Sequence, residues 1–214
     1  MMWKTRLRSE LDNLTAITAG LGPSVTLLHG VGLNADAWGG QIDTLANYFS
    51  VTAFDMPGHG SSPGLDVPSP DLSDYVTAMK HPLKGPTVVV GHSMGAMIAL
   101  KLAFNKKVVG VVALNAVYQR SKSAHDAVRK RAKELVAASN VDPRPTLKRW
   151  FDDETSTEAE MCEQLLSHVS IEEYRAAYNV FAQENGPTAE ELVALKKPAL
   201  FMTGGREPNS PPDM

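Results

Sequence analysis

The stretch TVVVGHSMGAMIALKLA, residues 87–103, decides how this chain folds. TVVV at 87–90 has the brevity and β-branched content of a buried strand. Met94, Met97, Ile98 and Leu102 then recur at a helical period, so a helix starts directly after the strand. Between them, Gly91-His92-Ser93-Met94-Gly95 fits G-x-S-x-G, in which a serine sits on a sharp strand-to-helix turn with glycines on both sides because side chains there would collide. Composition alone yields about 0.08 such matches in a chain of this length, using average residue usage. The strand-turn-helix context gives the match its weight.

Working outward, SVTLL at 24–28, VTAF at 51–54 and VVGVVAL at 108–114 are further buried strands. Helical segments separate them, the pattern of βαβ units and a parallel sheet. Asn34 caps an expected helix in which Trp38, Ile42, Leu45 and Phe49 recur at spacings of four, three and four. Pro57, Gly58, Gly60, Pro63, Gly64, Pro68 and Pro70 fill a long loop, followed by a short helix near 71–80 that Pro82 stops. After Tyr118 only amphipathic helices are expected, carried by Val128, Ala132 and Leu135, by Met161, Leu165 and Val169, and by Ile171, Tyr174, Tyr178 and Phe181. Pro198 to Met202 returns to strand. The helical block is thus an excursion from the sheet, giving a discontinuous core at 1–117 and 196–214 around an insertion at 118–195.

A length of 214 residues suits one layered core plus an insertion. With 43% hydrophobic residues and 16 glycines the chain is globular. Its net charge of −3 gives no electrostatic footprint for nucleic acid or an anionic membrane surface. No long apolar run exists, and MMWKTRLRSE places charges where a signal peptide needs apolar residues, so a cytoplasmic protein is expected. Cys162 is the single cysteine; it excludes an internal disulfide and reads as a small packed residue. No His/Asp/Glu grouping has metal-ligand spacing, and neither metal nor cofactor is expected. The basic run Arg129, Lys130, Arg131 and Lys133 reads as a solvated helix face.

A second strand ends in Leu28-His29-Gly30-Val31-Gly32, where glycines let backbone N–H groups turn inward as oxyanion donors. Together with Asp55-Met56-Pro57-Gly58-His59-Gly60-Ser61 and the serine turn, in this order, the chain resembles the α/β-hydrolase superfamily. Within it the motifs look most like the branch of 3-oxoadipate enol-lactonases, carbon–carbon bond hydrolases and carboxylesterases. The resemblance implies a mostly parallel sheet flanked by helices with an inserted helical cap. It also implies a serine hydrolase that cleaves a carboxylic ester, lactone or similar activated carbonyl of a small molecule. By it Ser93 is the nucleophile, facing a cavity roofed by 118–195, and the N–H groups of Val31 and Met94 form the oxyanion hole. Trp150, Tyr174 and Tyr178, with Phe151 and Phe181, would line the substrate pocket.

The family's acid follows the penultimate strand, and Thr203-Gly204-Gly205-Arg206-Glu207-Pro208 puts Glu207 there, with Asp213 as the alternative. Triad order in this fold is serine, acid, histidine. All six histidines, His29, His59, His81, His92, His125 and His168, precede Glu207. His92 adjoins Ser93, yet consecutive residues on a sharp turn point apart. The expectation is a chain that stops short of the last strand, the histidine loop and the final helix, leaving 199–203 as an exposed edge and little activity on simple esters. The alternative is a non-catalytic ligand-binding protein of the same fold.

Overall fold

The computed structural model describes residues 6–207 and 210–213. Seven strands form one sheet: β1 (Ser9–Leu11), β2 (Leu14–Ala19), β3 (Ser24–Leu28), β4 (Ser50–Phe54), β5 (Thr87–His92), β6 (Val108–Leu114) and β7 (Ala199–Met202), in the order β1-β2-β4-β3-β5-β6-β7. The five strands read from the sequence are all present. The β1–β2 hairpin has no counterpart in that reading. Its turn residues Asp12 and Asn13 have φ of 51° and 67°, a two-residue turn of the kind that matches strand twist. This Asp-Asn pair between Leu11 and Leu14 was the available signal. β2 pairs antiparallel with β1 and β4, and the remaining pairs are parallel.

The helices are α1 (Gly39–Leu45), α2 (Leu72–Lys80), α3 (Met94–Leu102), α4 (Lys122–Glu134), α5 (Arg144–Trp150), α6 (Thr157–His168), α7 (Ile171–Gln183) and α8 (Ala189–Ala194). The first expected helix is shorter than its pattern. Asn34 caps a 3₁₀ turn over Ala35–Trp38, accepting from Asp36 N at 2.9 Å, and α1 ends at Leu45. Just beyond, Asn47 Nδ2 donates to the carbonyls of Asp43 and Thr44 at 3.0 and 3.1 Å, so a side chain takes the orphan groups of the last turn. Phe49 therefore leaves the helix while still packing beneath it.

Trp38 and Ile42 cover one face of the sheet, over Ile17, Val25, Leu27, Val51 and Ala53. On the other face α3 is buried nearly all round, which is why its sequence lacks a polar stripe. Leu72, Tyr75 and Met79 of α2 join it there. Helices α4 to α8 lie between β6 and β7 in the chain, with α4 packed on α7 and Glu191 of α8 ion-paired to Lys101 of α3. Among the described residues no helix is long and apolar enough to cross a membrane.

Register sets the position of the site. Leu28 lies opposite both Phe54 and Gly91, and His92 lies opposite Leu114, so the carboxyl ends of β3 to β6 form one rim. The chain leaves β3 for β4 on one side and returns to β5 on the other. Loops diverge at such a switch point and leave a crevice between them.

Candidate active site

Ser93 stands at that crevice, between β5 and α3, with φ 55° and ψ −118°. A side chain held in this sparsely populated region costs about 1–3 kcal/mol. The surroundings hold it there. Ser93 N donates to Leu114 O at 2.9 Å, tying the turn to the tip of β6, and Ser93 O accepts from Ala96 N at 3.0 Å. A Cβ at Gly91 would overlap the Gly95 carbonyl, and one at Gly95 would overlap the carbonyls of Leu28 and His29. Both glycines of the motif are thus demanded by the closeness of α3 to β3 and β5.

The Ser93 hydroxyl makes no hydrogen bond to a described residue and opens on a cavity of about 250 Å³. Val31 lines the same cavity, and the N–H groups of Val31 and Met94 donate to no described residue. Buried N–H groups are nearly always paired, so two unpaired donors beside one hydroxyl are what an oxyanion site requires.

The loop carrying Val31 is braced by two buried imidazoles whose rings lie 5.1 Å apart. His29 Nε2 accepts from Met56 N at 2.9 Å while Nδ1 faces Gly30 O at 2.7 Å. His59 Nε2 accepts from Gly32 N at 3.0 Å, with Nδ1 facing Pro57 O at 2.9 Å. The pattern assigns both as neutral rings protonated at Nδ1. Burial, reinforced by the neighbouring ring, pushes His29 down to about 3, and burial also holds His59 below its ordinary value.

Beneath them Asp55 is fully buried and accepts from Arg8 Nε at 2.6 Å, Thr15 Oγ1 at 2.9 Å, Ala35 N at 2.9 Å and Ser61 N at 3.0 Å. Burial alone would raise its pKa. The Arg8 guanidinium and the two N–H donors outweigh burial and hold the carboxylate below its usual range. One buried anion thereby joins the N-terminal arm to both loops beside the site.

Glu207 lines the cavity with Ser93, whereas Asp213 is exposed and does not line it. Of the six histidines His92 alone lines the cavity. Its Nε2 lies 3.4 Å from Asn115 Nδ2, which also donates to Glu207 Oε2 at 2.9 Å. Burial lowers the His92 pKa, only partly opposed by the Glu207 carboxylate. Trp150, Tyr174 and Tyr178 all reach the cavity, as do Phe151 and Phe181. The rings of Tyr174 and Tyr178 meet at a tilt of 40° with centres 5.7 Å apart, so they pack the insertion as well as line the space. Cys162 is also on the wall, but burial pushes its thiol up to about 11 and leaves it protonated and unreactive.

Sequence reasoning missed Asn115, Thr146 and Arg149 on the cavity wall. Asn115 carried a faint signal, an asparagine directly after a strand, where its φ of 49° is well tolerated. The basic run also reads differently in three dimensions: Arg131 is half-buried, with Nε donating to the Tyr178 hydroxyl at 2.9 Å. Helical period could not show that one of four neighbouring cations turns inward. Among the described residues no three His, Cys, Asp or Glu side chains converge to hold a metal ion.

A profile of the Alpha/beta hydrolase family matches residues 27–213. The chain is 35% identical over 221 aligned positions to (E)-2-((N-methylformamido)methylene)succinate hydrolase of Acinetobacter baylyi, covering 100% of this chain and 84% of that one. A shorter match, 42% identical over 86 residues, is to pimeloyl-[acyl-carrier protein] methyl ester esterase of Methylococcus capsulatus, covering 40% of this chain and 33% of that one. The crystal structure of a hydrolase from Pseudomonas aeruginosa PA01 superposes with a TM-score of 0.81 at 18% identity, over 94% of this chain and 79% of that one, a likeness of fold. This chain belongs to the Alpha/beta hydrolase family, and the two relatives named above are a hydrolase and a methyl ester esterase.

Proposed function

We propose that this hydrolase cleaves a carboxylic ester, lactone or similarly activated carbonyl of a small molecule through an acyl-enzyme on Ser93. The observation that carries the reading is the strained Ser93 hydroxyl, open to a cavity beside the unpaired N–H groups of Val31 and Met94. Ser93 Oγ attacks the carbonyl carbon and the carbonyl π electrons move to oxygen, where the two N–H groups receive the negative charge. The mechanism requires a base to take the Oγ proton and return it to the departing alkoxide as the tetrahedral adduct collapses, a role for which no described imidazole is hydrogen-bonded to Ser93 Oγ. Water then attacks the acyl-serine by the same route and releases the acid. Glu207 is assigned as the carboxylate that orients the base, residues 118–195 as the cap that selects the acyl group, and 1–117 with 196–214 as the core.

A second reading, ligand binding without turnover, draws on one observation: no described imidazole hydrogen-bonds Ser93 Oγ. One experiment separates the two. The chain is treated with a fluorophosphonate reagent and the labelled peptide identified by mass spectrometry. Stoichiometric label on Ser93, absent in Ser93→Ala, supports the hydrolase. Label elsewhere, or none at reagent concentrations that saturate serine hydrolases, leaves the binding reading.

A further inference from the structure

We propose that the cavity above Ser93 takes a substrate bearing a second, anionic group, a carboxylate received by the guanidinium of Arg149. The orientation of that substrate rests on the reading of Ser93 as the reacting end. Arg149 lies in the last turn of α5 and lines the same cavity as Ser93 and Val31. Its guanidinium is spent on neutral acceptors only: Nη1 donates to Pro145 O at 2.6 Å and Nη2 to Thr146 Oγ1 at 3.0 Å. Among the described residues no carboxylate pairs with it.

Four arginines elsewhere in the molecule have carboxylate partners, while Arg175 donates to the carbonyls of Leu135 and Ala138. Arg6 pairs with Asp43, Arg8 with Asp36 and Asp55, Arg144 with Asp142 and Arg206 with Asp152. Those that gather beside the cavity have no such partner. Arg131 donates to the Tyr178 hydroxyl, and Arg120, buried beneath the Phe181 ring, donates to the carbonyls of Phe181 and Glu184. Burial and then the charge of Arg131 push the Arg149 pKa below its ordinary value. A half-buried cation, repelled by a second and lacking an anion, is costly unless a ligand supplies the counter-charge.

The chemistry of that ligand follows from the wall. A guanidinium fork matches a planar carboxylate through two parallel charge-assisted hydrogen bonds. The only carboxylate on the wall among the described residues is Glu207, which is held by Asn115. The remaining lining is largely aromatic and aliphatic, so the linker between carbonyl and carboxylate is apolar. A volume of about 250 Å³ lies below the range of drug-sized pockets, about 300–1,000 Å³, which fits a small acid ester rather than a long acyl chain.

The test uses the full chain with Ser93→Ala, so that nothing is consumed, and titrates it calorimetrically with monomethyl glutarate and dimethyl glutarate, one anionic and one neutral. The monoester is expected to bind at least tenfold more tightly. Arg149→Gln should erase that preference with the diester affinity within about twofold of the parent, and Arg149→Lys should keep part of it. Equal affinity for the two esters, or a preference that survives Arg149→Gln, overturns the proposal. Should Arg149→Gln not fold, the ester ratio of the parent decides alone, a ratio near one rejecting the proposal and a tenfold ratio that weakens as salt rises supporting it. The outcome is separable from the reading of Ser93. Fluorophosphonate labelling with a ratio near one removes only the carboxylate site, and a tenfold ratio without labelling removes only the acyl-enzyme.

Discussion

Asn115 Nδ2 donates to Glu207 Oε2 at 2.9 Å, joining the end of β6 to the loop after β7 across the rim where Ser93 stands. The amide also approaches His92 Nε2 at 3.4 Å, so one side chain faces both His92 and Glu207. Asn115 is a positioning residue in this arrangement. Asn115→Ala is expected to slow fluorophosphonate labelling of Ser93 by about 10- to 100-fold, the scale of a small misplacement at a reacting centre. It should also shift the pH profile of labelling, because the buried His92 ring, held below its ordinary pKa, loses the amide that faces its Nε2. Monomethyl glutarate affinity should stay within about threefold. A fall in labelling that tracks thermal stability, with an unchanged pH profile, would reduce Asn115 to packing.

The backbone of Ser93 makes a stability prediction. With φ 55° and ψ −118° it carries strain of about 1–3 kcal/mol that glycine relieves, less about 0.5–1 kcal/mol for the greater freedom of glycine in the unfolded chain. Ser93→Gly should therefore raise the unfolding midpoint by a few degrees, and Ser93→Ala should not. Both should lose labelling. An equal midpoint for the two variants would show that the neighbouring contacts accommodate the serine without cost.

Acid should weaken the fold in two stages. His29 and His59 are buried neutral, with pKa values lowered from the ordinary 6.5, so the unfolded chain binds their protons first. Their stabilisation is complete above pH 6.5 and declines as pH falls toward the folded values, at up to about 1.4 kcal/mol per pH unit for each ring. Asp55 is lowered from 3.8 and contributes above that value, with its share lost only as pH falls through the folded pKa. Urea midpoints should decline from pH 7 to 5 and less steeply in His59→Gln. A flat profile over that interval would show that the two rings are not neutral in the fold.

The outer edge of the sheet makes the fourth prediction. β7 pairs only with β6 among the described residues, and Leu200, Phe201 and Met202 are 51, 52 and 54% exposed. Exposed apolar edges with free backbone donors and acceptors template intermolecular pairing. The 214-residue chain should therefore self-associate with rising concentration in sedimentation velocity, and Phe201→Lys should reduce this without altering labelling of Ser93. A monomer across the full range for both proteins would show that the edge is protected.

The sequence by itself determined the strand-turn-helix at 87–103, the parallel strands around it and the presence of the helical insertion, because these follow from local sterics and hydrophobic period. Gly91 and Gly95 are legible for that reason: their Cβ atoms would strike backbone only a few residues or one strand away. The family resemblance pointed to Ser93, Val31, Met94 and Glu207; of these Ser93, Val31 and Glu207 line one cavity, and Met94 follows Ser93 at the start of α3. Only the tertiary structure decided what faces that cavity from a distance. Asn115 meets Glu207 because the ends of β6 and β7 are brought level, and Arg8 reaches Asp55 because a hairpin that the pattern did not reveal lies beside β4. Arg149 lines the cavity and Arg131 reaches the hydroxyl of Tyr178 on its wall because α5 packs on α6 and α4 on α7. A helical period gives the buried stripe of one helix; which cations lie at its border, and what they find there, is set by the neighbour it packs against.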